Sequence, residues 1–314
     1  MDSFLLPFAL AAAAACCGEL VTAPIDFLKT RAQLQGELGS AARYSNIFAA
    51  IPRIVREEGV LAFYRALGPG LLRQASYGSI RMGLFDSARA LVSGESASSP
   101  AQAGSRSPLW QLGLAGASVG ACAAALTNPL DVVKVRMQVD YKARGEGLRY
   151  RGVLHALQET YSHEGFRGLW AGLAPNVQRA AVVAATELGG YEATKQYLVQ
   201  EQGMGSSAVA THLLASTCAG FICSLCASPL DVLKSRIMAQ PFDSSGIGLR
   251  YAGMLDCFSK SLRTEGPGAL WKGFFADFAR RGPHTVVQFV VLERLRAITG
   301  EWREEAGVGG GEAV

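Results

Sequence analysis

Charge is what this sequence has least of. Asp, Glu, Lys and Arg together make up 18% of its 314 residues, against about 25% in a soluble domain. Apolar residues reach 49% and the mean hydropathy is +0.18, a balance that suits a membrane protein with polar loops better than a soluble enzyme. The net charge of +4 is too small to argue for nucleic acid as a partner. There are four histidines, and they do not cluster. No Walker-type phosphate loop, no Gly-x-Gly-x-x-Gly in a strand context and no metal-spaced His or Cys group occurs, so neither an enzyme nor a metal or cofactor site is indicated. Six of the seven cysteines lie in apolar stretches and Cys257 lies in what reads as a loop region. The single Cys-x-x-Cys, Cys223 and Cys226, has no second pair or histidine near it and reads as packing. The first fifteen residues hold no Lys or Arg, which fits neither a secretory signal nor an Arg-rich transit peptide.

What the chain does have is one phrase three times. Pro129, Asp131, Lys134 and Arg136 follow an apolar run. Pro24, Asp26, Lys29 and Arg31 repeat them near the start, and Pro229, Asp231, Lys234 and Arg236 near the end, with the prolines 105 and 100 residues apart. A helix that stops at a proline and continues as solvated charge explains one copy, not three in register. A second phrase pairs Glu and Gly ahead of an aromatic: Glu58-Gly59 with Tyr64, Glu164-Gly165 with Trp170, and Glu265-Gly266 with Trp271. A third sets an acid three residues before a base: Asp86 and Arg89, Glu192 and Lys195, Glu293 and Arg296. Such periodicity predicts modules that pack against one another. We place them at 1–100, 101–203 and 204–300, with 301–314 as a disordered tail.

Each module reads as an apolar helix (4–25, 109–130, 208–229), a short amphipathic surface helix, and a second, more polar long helix (67–92, 172–198, 274–298). Each first helix is about twenty residues, enough for ~30 Å of hydrocarbon. The spacings Gly116-x-x-x-Gly120 and Ser216-x-x-x-Gly220 allow close helix approach in a membrane. Proline is expected to kink each first helix. The expectation is therefore an all-α membrane protein of six transmembrane helices.

With three copies of all three phrases, residues 5 to 298 resemble the mitochondrial carrier family. Within it, Leu34-Gln-Gly-Glu37, Arg73-Gln-Ala-Ser-Tyr77 and Arg179-Ala-Ala-Val-Val look most like the uncoupling-protein branch. Gly282-Pro-His-Thr285 looks like the dicarboxylate and oxoglutarate carriers. The resemblance implies a threefold pseudosymmetric barrel with three short matrix-side surface helices, in the mitochondrial inner membrane. It also implies a central cavity, alternating access, both termini toward the intermembrane space, and a monomer. Cardiolipin at the surface helices and a purine nucleotide inhibitor are further partners it suggests.

In that frame Asp26, Asp131 and Asp231 with Lys29, Lys134 and Lys234 form a matrix gate, each lysine reaching the aspartate of a neighbouring module. Wet ion pairs are worth at most ~1 kcal/mol each, so a substrate's differential binding could open the set. Gln33 and Gln138 match the family's bracing glutamines; Met238 stands at the third position and cannot hydrogen-bond likewise. Asp86, Arg89, Glu192, Lys195, Glu293 and Arg296 form the cytoplasmic gate.

The third phrase also aligns Arg73, Arg179 and Arg280, each thirteen residues before its acid. At 1.5 Å per residue they lie ~20 Å below the outer set. Three guanidiniums at one level are costly without an anion or carboxylates, and their planar fork suits carboxylate, phosphate or sulfate. Eight residues further on, Arg81 and Glu187 can pair above this site. Glu19 stands seven residues before Asp26, where the other modules have Ala124 and Ser224. A carboxyl inside a membrane helix is functional by default, and the uncoupling branch carries an acid there, so Glu19 is assigned to the substrate site, either with a proton-coupling role or as a plain counter-ion to one arginine of the triplet. His284 is expected to pack between helices. The reading is an uncoupling-like carrier coupling protons to small anions. Alternatives are a dicarboxylate or inorganic oxyanion exchanger without proton leak and, more remotely, a carrier-like scaffold that no longer transports.

Overall fold

The structure, a computed structural model, describes residues 2–37, 47–93, 109–140, 149–202, 209–243 and 248–305. These form nine α-helices: α1 (Asp2–Leu34), α2 (Ile47–Glu57), α3 (Leu67–Ser93), α4 (Leu109–Val139), α5 (Val153–Leu169), α6 (Leu173–Gln200), α7 (Val209–Ala239), α8 (Met254–Glu265) and α9 (Phe274–Glu305). Among the described residues the only β-pairing is an isolated bridge between Phe242 and Gly248. Helix α1 packs on α3, α3 on α4, α4 on α6, α6 on α7, α7 on α9, and α9 back on α1. The six long helices thus follow one another round a closed circuit.

The first long helix of each repeat does not stop at its proline. It runs on to Leu34, Val139 or Ala239, carrying the charged phrase inside the helix. Proline removes one backbone donor and frees the carbonyl four residues back, and the fold finds that oxygen a partner: Trp271 Nε1 donates to Leu225 O at 3.2 Å, four residues before Pro229. Thr22 and Thr127 donate to Gly18 O and Ala123 O, both at 2.8 Å, a back-bond that itself bends helices. Residues 301–305, expected to begin a disordered tail, continue α9; 306–314 lie outside the described residues, as do 94–108 and 203–208 between the long helices.

The last charge of the first phrase and the acid of the second meet in all three repeats. Arg31 grips Glu58 at 2.9 and 3.1 Å, Arg136 grips Glu164 at 2.8 and 2.7 Å, and Arg236 grips Glu265 at 2.7 and 2.8 Å. Two-pronged contacts of this kind are the strong, orienting ones. Each arginine also donates its Nε to a helix-end carbonyl of the next repeat: Arg31 to Gln138 O at 2.7 Å, Arg136 to Met238 O at 3.0 Å, and Arg236 to Gln33 O at 3.3 Å. One side chain therefore pins the short-helix segment of its own repeat and caps the long helix of its neighbour, where orphan carbonyls need donors. The glycine after each glutamate turns the chain with positive φ, 85° at Gly59, 65° at Gly165 and 79° at Gly266. That conformation is open to glycine at no steric cost.

Buried apolar clusters collect at this same end. Phe27, Ile54 and Phe63 form one; Val133, Met137 and Tyr150 another; Leu233, Ile237, Tyr251 and Cys257 a third. Cys257 lies on α8 rather than in a loop, fully buried, and burial pushes its thiol up to about 12. It is a packing residue. The long helices expose Leu126, Leu213, Phe275 and Phe289, each above 60%. A surface that water wets would not carry so many. Ala9–Leu34 and Thr211–Ala239 are long and apolar enough to cross a membrane by length and composition.

Burial pushes the Glu265 carboxyl up, but hydrogen bonds from Arg236 and Lys272 outweigh it and hold the group below its ordinary value. Its folded pKa then lies below the unfolded one, near 4.3, so its stabilisation is complete above about pH 5 and is lost as pH falls through the folded value. Glu265→Gln should lower the melting temperature in detergent at pH 7, by the equivalent of about 3 kcal/mol. It should also soften the acid-induced fall seen in wild type below about pH 4. An equally steep acid fall in both proteins would contradict this.

Candidate functional site

The long helices enclose a cavity of about 1100 Å³. Its floor is built from the first phrase. Each aspartate there is held between a lysine from one neighbouring repeat and an arginine from the other. Asp131 takes Lys234 at 3.0 Å and Arg73 at 2.5 Å. Asp231 takes Lys29 at 2.7 Å and is in contact with Arg179. Asp26 takes Lys134 at 2.7 Å and Arg280 at 3.2 Å. All three carboxylates are buried, with 5–7% exposure, so an unpaired charge there would be expensive.

This differs from the expected layering. Spacing along one helix placed the three arginines at a level of their own, above the aspartates. In the structure they reach down and across to the next repeat, and the two layers become one. Position along the axis was legible; which carboxylate a long, flexible arginine would find was not.

Every lysine has a further oxygen ligand, and its source differs from repeat to repeat. Lys234 meets Asn176 Oδ1 at 2.8 Å, Lys29 meets Asp277 Oδ1 at 2.6 Å, and Lys134 meets Glu19 Oε1 at 2.6 Å. Asn176 and Asp277 each stand three residues before the clasping arginine of their repeat. The matching residue before Arg73 is Gly70, where a Cβ would come within 2.9 Å of Glu19 Oε1. Glu19 fills from α1 the space that Gly70 leaves empty on α3. It is 2% exposed, with Arg280 Nη2 at 2.7 Å and Gln74 Nε2 at 3.3 Å as its other donors. Among the described residues Arg280 Nε is buried with no partner.

Of the two bracing glutamines, Gln138 donates to Asp26 Oδ2 at 3.0 Å. Gln33 instead accepts from Ser235 at 2.6 Å, its own amide nitrogen unpartnered. Met238 is fully buried against Val132, Val135 and Ala171. His284 lies between helices and also lines the cavity: Thr22 Oγ1 is 3.4 Å from its Nδ1, and a Cβ on Gly18 would come within 3.1 Å of its ring.

Glu187 pairs with Arg281 at 2.9 Å; the Arg81 side chain lies outside the described residues, as do those of Asp86 and Arg89. Between Glu192, Lys195, Glu293 and Arg296, all described, no ion pair forms; the Lys195 ammonium lies 6.0 Å from the Tyr191 ring centre. Asp277, Arg281 and Asn176 were not foreseen as site residues. Laying the repeats over one another at the positions three before and one after each arginine (Gly70, Asn176, Asp277; Gln74, Ala180, Arg281) would have found them.

Comparison with known proteins bears on the same repeats. The family model described as mitochondrial carrier protein matches residues 1–96, 105–202 and 205–301. The mitochondrial substrate carrier family protein ucpB of Dictyostelium discoideum is 37% identical over 286 residues, 91% of this chain and 93% of that protein. Mitochondrial uncoupling proteins 1 and 2 of Arabidopsis thaliana are 38% and 37% identical, over 92% and 94% of this chain and the same shares of theirs. With one repeat matched three times and relatives aligned over nearly their whole length, the chain belongs to the mitochondrial carrier family.

Proposed function

We propose that the protein is a six-span carrier of the mitochondrial inner membrane that moves small anions by alternating access, with proton coupling in the manner suggested by its uncoupling-protein relatives. The observation that carries the reading is the aspartate clasp. Three arginines at a cavity floor are also the three cations that help hold it shut. An anion entering the cavity competes with the buried aspartates for the same guanidiniums. Where it wins, each aspartate keeps only its lysine, and the floor loosens from within. The energy for opening is then the difference between the anion's affinity for arginines turned toward it and for arginines still clasped. The Arg280 Nε, unpartnered among the described residues, supplies a donor with no hydrogen bond of its own to give up.

Glu19 adds the proton. It binds Lys134 and Arg280 together, so neutralising it weakens a lysine contact and an arginine contact in one step. The apolar exposed belt supports the bilayer as surroundings. A second reading, exchange of dicarboxylates or oxyanions without proton leak, is favoured by one observation: Glu19 is already met by three donors and nearly closed to water, which suits a fixed counter-ion.

Two measurements in proteoliposomes decide. Arg179→Gln should cut uptake of a labelled dianion at least tenfold, the loss of a charge-assisted pair; full uptake would sink the anion role. Glu19→Gln should flatten the pH dependence of transport. If it keeps the wild-type pH profile, the exchanger reading wins. The double change Glu19→Ser with Gly70→Asp copies the third repeat's arrangement, and rescue by it would mark the acid's location as interchangeable.

A further inference from the structure

Threefold symmetry draws attention away from what one repeat alone possesses. Arg281 follows Arg280 directly on α9. The equivalent residues are Gln74 and Ala180, so only the third repeat puts a second guanidinium at this level. Arg281 lies on the cavity wall. Its Nε donates to Ser224 Oγ at 2.9 Å and to Asp277 Oδ2 at 3.2 Å, and its Nη1 donates to Glu187 Oε1 at 2.9 Å. Its two acids differ in how firmly they are held. Asp277 is buried and already bound to Lys29. The Glu187 side chain is 54% exposed, and among the described residues its one other polar contact is Cys223 Sγ at 3.9 Å. An exposed carboxylate can be exchanged for water at little cost; a buried one cannot.

The charges at the floor point the same way. Among the described side chains, the three clasp lysines, the three clasp arginines and Arg281 face the three aspartates, Glu19, Asp277 and Glu187. One positive charge is unmatched while Glu187 stays in place. Two are unmatched once it turns to solvent, which is the charge a dianion brings.

We propose that Arg281 is a fourth anion-binding guanidinium, masked in this state by Glu187, and that it selects doubly charged substrates over singly charged ones. The proposal rests on the anion-carrier reading above. A monoanion is satisfied by the clasp arginines and leaves Glu187 where it is. A dianion presents a second acidic edge that replaces Glu187 on Arg281, and Arg281 moves no further than its present fork allows because Asp277 and Ser224 hold its Nε edge.

The test is the KM for matched pairs in proteoliposomes: sulfate with methanesulfonate, and malonate with its monomethyl ester. For Arg281→Gln we expect the dianion KM to rise about tenfold while the monoanion KM changes by less than about twofold. Glu187→Gln should lower the dianion KM by unmasking the arginine, and Arg281→Lys should restore part of the preference for dianions. Equal loss for both charge classes in Arg281→Gln would make the residue a brace of the wall, and no loss for either would make it a bystander; each overturns the proposal. Wild-type protein that moves neither class would instead overturn the anion-carrier reading, and this inference with it.

Discussion

The buried aspartate shared between two repeats is the contact on which the rest of this fold depends. Asp131 finds a hydrogen bond in its own repeat, from Asn176 at 3.1 Å, but forms no ion pair there: its lysine comes from the third and its arginine from the first. The same holds round the ring. A buried carboxylate without its cations would cost several kcal/mol, so no repeat is complete until both neighbours are in place. The bidentate Arg–Glu pairs extend the dependence to the short-helix segments, because the same arginines also cap helix ends in the next repeat. Closure of the circuit and closure of the cavity floor thus rest on one set of charges.

The architecture was largely legible because it is written three times. Repetition turned a proline and three charged residues into a ruler, and the repeats laid over one another showed Arg73, Arg179 and Arg280 at a constant offset from a different phrase. It also marked Glu19 as an acid without counterparts. The helix ends were misjudged for a local reason. Proline reads as a stop, yet the carbonyl it frees before Pro229 is taken by Trp271, forty-six residues away in sequence, so the helix continues at little loss. No pattern within twenty residues reports a partner at that distance.

The site was less legible because its distinctive parts are departures from the repeat. Gly70, Asn176 and Asp277 share one register position and solve one problem differently: each lysine of the cavity floor wants another oxygen. Where α3 offers no side chain at Gly70, α1 supplies Glu19. An acid that looked like an isolated addition is half of a pair with a missing side chain, and only the structure shows the two together. Arg281 was overlooked for the related reason that it stands next to a residue the symmetry had already explained. Symmetry identifies the machinery shared by all three repeats, and the deviations from it carry what is particular to this chain.

In the proposed mechanism anion and aspartate compete for the same arginine. The direct measurement is the affinity of the purified protein for a small dianion such as sulfate, by calorimetry, in wild type and in Asp231→Asn. Removing the carboxylate frees Arg179, so competition predicts binding tighter by about tenfold, the worth of one displaced ion pair. Unchanged or weaker binding would show that the aspartate and the anion do not share the guanidinium, and would contradict the mechanism.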